Sequence, residues 1–165
     1  MILLKIPEVK VFMAKLLTQQ VFDGFLLKEM ELQTFTSFTI NGQFHEDFFS
    51  QEELEERGDK KYTLWNDVRP IAFSMIKGNK TPLHLKIVFQ LPKEHTKHMV
   101  ERLAGRMSLD DIGGLYINIR FDKGELYIIT GTAIKTFTLD KSLEQEWDKE
   151  VKNFLQKQGI IFEEE

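Results

Sequence analysis

His95 and His98 stand three residues apart in a stretch with helical patterning, an interval that turns two imidazoles toward one metal ion. A zinc site needs further protein ligands, and none falls in register with this pair, so both are expected to be exposed helix residues and no metal is expected. His45-Glu46 opens as zinc-protease helices do, but that chemistry requires a second histidine four positions after the first, where Phe49 stands. Lys77-Gly78-Asn79-Lys80-Thr81 has the composition of a phosphate loop without its order. Such a loop joins a strand to a helix and keeps Gly and Lys adjacent, so that backbone N–H groups converge on phosphate. Here Asn79 separates them and the order is helix then strand. What survives is an anion contact by Arg69, Lys77 and Lys80. Asp110 and Asp111 are expected to cap a turn, and no Ser, His and Asp set has the context of a nucleophile elbow. No catalytic residue and no cofactor are assigned.

The strongest basic grouping is Lys93, Lys97, Arg102 and Arg106, on and after one predicted helix, where Glu94 and Glu101 interrupt it. Those four side chains are the candidate nucleic-acid contacts. Tyr62, Trp65, Tyr116 and Tyr127 could stack on bases, although packing explains most such aromatics. The net charge is -4, from 22 basic and 26 acidic residues, so the whole-molecule field gives no attraction to phosphate backbones or anionic lipid. With no cysteine, disulfides, thiolate metal sites and thiol nucleophiles are excluded. Lys5 and Pro7 interrupt the apolar opening before it reaches the length of a signal-peptide core, and no run approaches the roughly 20 apolar residues of a membrane span. A cytoplasmic protein with no membrane contact is expected.

The elements that must position these residues follow from periodicity. Residues 2–6 predict a strand, and Pro7 opens a helix to Leu17 whose stripe is Val9, Phe12, Met13, Leu16 and Leu17. Residues 25–40 read as extended, and Asn41-Gly42 is the preferred pair for a type I′ hairpin, setting Thr39 opposite Phe44 and Phe38 opposite His45. A helix over 64–77 contains Pro70, which predicts a kink or a late start, and is expected to stop at Gly78. The plan then recurs: strand 83–91, Pro92, helix 93–104, and strands on either side of Lys123-Gly124. A further strand over 133–139 precedes a helix over 142–158, with Ser142 and Gln145 as its capping box. The fold class is α+β: two related strand, helix and hairpin units, about 1–50 and 83–139, with an antiparallel sheet and the additional helices at 64–77 and 142–158. A single domain over 1–165 is expected, because no linker or low-complexity tract interrupts it.

Two blocks carry a family resemblance: Leu64-Trp65-Asn66-Asp67-Val68-Arg69-Pro70 running on to Lys77-Gly78-Asn79-Lys80-Thr81-Pro82, and Phe137-Thr138-Leu139-Asp140-Lys141-Ser142-Leu143-Glu144 with Trp147. With the order of elements, they resemble an uncharacterised family of Firmicutes proteins, a domain of unknown function. The resemblance implies a bacterial intracellular protein, from a clostridial anaerobe, and assigns no catalytic residue. The repeated plan is also similar to the halves of DNA sliding-clamp domains and, more loosely, to the TATA-binding saddle. That likeness is one of topology and says nothing of function by itself.

The expected function is a non-catalytic binding or assembly module, with a protein partner or a second copy joined through a sheet edge. The first alternative is a DNA-associated accessory protein of clamp-like architecture using Lys93, Lys97, Arg102 and Arg106. The second is an enzyme acting on a phosphorylated small molecule near Arg69, Lys77 and Lys80.

Overall fold

The computed structural model describes residues 1–58, 61–76 and 80–165. Among the described residues the order is β1 (Leu3–Ile6), α1 (Val9–Leu17), β2 (Leu26–Gln33), β3 (Ser37–Asn41), α2 (Gln51–Glu55), β4 (Thr63–Leu64), α3 (Trp65–Met75), β5 (His84–Gln90), α4 (Lys93–Glu101), β6 (Ile112–Asp122), β7 (Glu125–Ile134), α5 (Ser142–Lys157) and β8 (Glu163–Glu164). All strands join one antiparallel sheet in the order β3-β2-β5-β6-β7-β1-β8, with β4 on β2. The α+β class is as the sequence implies.

Alternation sorts the sheet into two faces. On one, Leu32, Leu85, Phe121, Leu126 and Ile6 form a row across five strands, and Met30, Ile87, Ile119, Ile128 and Leu4 form the next. Both rows are buried beneath Phe12 and Leu16 of α1, Trp65 and Ala72 of α3, Met99 of α4, and Trp147 and Val151 of α5. Phenylalanines fill the end of this core: Phe22 stacks on Phe89 at 5.5 Å between centroids, and Phe12, Phe25 and Phe154 surround them. The other face carries Glu31, Lys86, Arg120, Tyr127 and Lys5 in register, a polar row with one acidic and three basic side chains.

The order of elements recurs but the pairing does not. Helix α4 joins β5 to its immediate neighbour β6, whereas α1 carries the chain from β1 across the sheet to β2, with β7, β6 and β5 between them. The duplication expected from the repeated plan is therefore not confirmed. The hairpin at Asn41-Gly42 is also corrected: the chain reverses at Thr34–Thr36, where the Thr34 N–H donates to the Thr36 carbonyl, and β3 pairs back on β2. Gly42 serves a close approach instead of a turn. A Cβ there would lie 1.7 Å from the Leu27 carbonyl oxygen, and its N–H donates to Lys28. The chain then leaves the sheet edge and rejoins the same edge as β4, where Thr63 donates to the Gly42 carbonyl and pairs with Leu27. Residues 43–62 are thus an excursion from one edge position.

Lys123-Gly124 is the turn expected of it, with φ of +52° and +82°. The predicted strand over 133–139 is not separate: Ala133 and Ile134 finish β7. Helix α3 starts at Trp65 in spite of Pro70, and its predicted stop at Gly78 lies outside the described residues. For α5 the predicted Ser142–Gln145 box is replaced by Asp140, whose carboxylate accepts from the Ser142 N–H at 2.9 Å. No helix among the described residues is long and apolar enough to cross a membrane.

Candidate functional site

The excursion builds a cleft on the second face of the sheet. Leu26 and Leu27 are adjacent in β2 and both fully buried, which alternation permits only where both faces are covered. Leu27 belongs to the main core, and Leu26 lies under the excursion, whose own buried residues are Phe44 and Leu54. Phe44 stacks on Phe49 at 4.9 Å, the Arg57 guanidinium lies over both rings, and Ser50 with Glu53 forms a capping box that starts α2.

Between this excursion, the start of α4 and the start of β6 lies a cleft of about 530 Å³. Gln90, the last residue of β5, lines it together with Lys61, Thr96, Asp110, Lys135 and the pair Gly113-Gly114. Gln90 is in register with Tyr116 on the second face. The residue is only 9% exposed, and its buried Oε1 has no hydrogen-bond partner. Buried polar atoms are nearly always paired, so this one marks a special place. The glycine pair is structural as well as permissive: β6 bulges at Gly113, and a Cβ on Gly114 would come within 2.6 Å of the Tyr116 hydroxyl. Half-burial pushes the Tyr116 phenol pKa up, so it remains a neutral donor, and Lys28, the bulged residue of β2, holds its Nζ 4.9 Å from the ring centroid. Helix α4 begins at Pro92, which offers no side-chain cap, so its positive end opens at this cleft. A second cleft of about 860 Å³ shares Gly58, Lys93 and Leu109 with the first and continues along α4 past Glu94 and His95.

The residues singled out by sequence are scattered. Lys93 and Lys97 line the larger cleft, but Arg102 turns away to Glu150 at 3.0 Å and Glu146 at 3.5 Å on α5, and Arg106 is exposed beyond α4. Arg69 is held by Asp23 through two bonds of 2.8 and 3.1 Å, so the guanidinium required for the anion contact is already engaged. Lys80 is exposed, and Lys77 lies outside the described residues. His98 meets Glu94 at 3.4 Å, and among the described residues no group of three or more His, Asp or Glu could hold a metal. Asp111 caps its turn through Ser108, as expected. Trp65 is a core residue, donating its indole N–H to the Leu16 carbonyl, whereas Tyr62, Tyr116 and Tyr127 are all half-buried, Tyr116 and Tyr127 on the second face of the sheet.

Gln90 and Lys135 escaped sequence reasoning. For Gln90 the available signal was a polar residue closing the apolar run Ile87 to Phe89, two positions before Pro92, which opens a helix.

Fold and cleft define an α+β protein built on one antiparallel sheet, covered by helices on one face and by a short excursion at one end of the other. A family of unknown function, DUF5721, matches residues 15–163, and the chain belongs to that family. No curated protein and no solved structure matches it.

Proposed function

We propose that this protein is a non-catalytic binding module and that the Gln90 cleft is its ligand site. The observation that carries the reading is the unpaired Gln90 Oε1. Leaving a buried amide oxygen without a donor costs about 1–3 kcal/mol, a cost that a bound ligand supplying an N–H or O–H would remove. The surroundings suit such a ligand: Gly113, Gly114, Thr96 and Asp110 line the same cleft. The DNA-associated alternative draws less support. Arg102 is neutralised by two carboxylates, and Glu94 and Glu101 sit among the remaining bases.

Equilibrium dialysis of the protein against a bacterial metabolite extract, read by mass spectrometry, tests the reading. Wild type should retain a small molecule that Gln90→Met does not. Retention of nothing, or equal retention by both proteins, would overturn it.

A further inference from the structure

The two edges of the sheet are finished differently. At one, β8 is two residues long and both are glutamates, Glu163 and Glu164, a short acidic edge that a further strand gains little by joining. At the other, β3 pairs with β2 on one side, and no described strand pairs with it on the other. The Gly42 N–H donates to Lys28 and the Thr34 N–H to Thr36, so the hydrogen bonds of this hairpin fall on even-numbered residues. The N–H and C=O groups of Ser37, Thr39 and Asn41 therefore point away from β2, along the open side of the strand.

Nothing in the sequence blunts this edge. From Leu32 to Phe44 no side chain is charged and none is proline. On the core face Phe38 and Ile40, in register with Leu32 and Met30, are only half-buried, whereas the inner members of those two rows are sealed. Phe35, at the reversal, is 89% exposed and meets Phe38 edge-on with 5.9 Å between centroids.

Charge selects the occupant. A strand that pairs with a copy of itself about a two-fold axis sets the central residue against itself, so a charged centre repels its copy. The centre of β3 is Thr39. Antiparallel pairing about it sets Thr39 against Thr39 and Ser37 against Asn41, each pair exchanging both main-chain bonds, and leaves no outward group of β3 unused. The same register brings Phe38 of one copy beside Ile40 of the other, which continues both core rows across the axis. Glu31, the carboxylate in register with Thr39, stands three strand spacings from its copy, about 14 Å, beyond the ~8 Å screening length at physiological salt. We infer that β3 is the seam of a two-fold dimer, in which a second copy of this chain adds its own β3 antiparallel to the first and the sheet runs unbroken through both. An acidic or basic partner strand would find no complementary charge here. The inference is independent of the Gln90 cleft, none of whose lining residues belongs to β3.

Sedimentation equilibrium of the full-length protein, from micromolar to millimolar concentration, reads the association. Wild type should pass from monomer to dimer over that range. As it does, the backbone amides of Ser37, Thr39 and Asn41 should gain about tenfold protection from hydrogen exchange, while that of Gly42, already bonded within the chain, stays constant. Thr39→Lys and Thr39→Glu, both at an exposed position, should each remain monomeric. An equimolar mixture of the two should dimerise, and more weakly as salt is added. A wild type that stays monomeric at millimolar concentration overturns the inference. So does a dimer that both variants leave intact, because the seam then lies elsewhere, or a mixture no more associated than its components, because Thr39 then does not meet its copy.

Discussion

The Arg69 guanidinium grips the Asp23 carboxylate with two parallel hydrogen bonds, tying the middle of α3 to the loop before β2, with both side chains mostly buried. This geometry explains why a residue that stands out in sequence as a free base serves the fold instead. Arg69→Ala leaves a largely buried carboxylate with no partner and should lower unfolding free energy by about 1.5–3 kcal/mol. Lysine cannot reproduce the fork, so Arg69→Lys should recover less than half of that. Urea denaturation of the three proteins decides it, and an unchanged midpoint for Arg69→Ala would show that the pair contributes nothing.

Gln90 and stability should move in opposite directions. Methionine keeps much of the side-chain shape and removes the unsatisfied oxygen, so Gln90→Met should stabilise the ligand-free protein by about 1 kcal/mol. Thermal denaturation without added ligand measures it. A loss of similar size would mean that the amide is already satisfied in the free protein, which removes the support for a ligand there.

Two glycines make contrasting demands. At Gly42 a methyl group would drive into the Leu27 backbone 1.7 Å away, and backbone in a paired strand cannot yield, so Gly42→Ala should cost more than about 3 kcal/mol. At Gly124 nothing lies within 4 Å, and the only penalty is a left-handed φ of +82°, so Gly124→Ala should cost about 1–2 kcal/mol. Equal midpoints for the two variants in chemical denaturation would refute the view that the β3-to-β4 edge depends on close approach.

These glycines also show where sequence stops being legible. The Lys123-Gly124 turn was readable because local conformation decides it, and the stripes of α1 and α5 were readable because their periods are local. Asn41-Gly42 carries the same local signal, yet its outcome is set by the Leu27 backbone across the sheet, a contact no local pattern encodes. The repeated strand, helix and hairpin order was legible too, but strand neighbours are a long-range property, so α1 and α4 make different crossings from similar sequence plans. For the cleft, Tyr116 drew notice as a type. Gln90 did not, because an unpaired oxygen exists only once burial and every potential partner are known.

Acid should loosen two helix starts. Asp140 accepts from the Ser142 side chain and N–H at the start of α5, and Glu53 accepts from the Ser50 N–H in the capping box of α2; these bonds hold both carboxyls below the usual carboxylate range. Because each folded-state pKa is depressed, the stabilisation is complete above the ordinary carboxylate value. It fades as pH falls through the lowered one, where protonation removes the charged acceptor. Glu53 is exposed and Asp140 no more than half-buried, so the effect is local fraying and not global unfolding. Carboxyl ¹³C titration should place both midpoints below those of the same residues in short peptides, and exchange of the Ser142 and Ser50 amides should gain on neighbouring amides over the same interval. Asp140→Asn should abolish the pH dependence at Ser142 and leave that at Ser50 intact. Midpoints at or above the peptide values would show that neither cap holds its charge in solution.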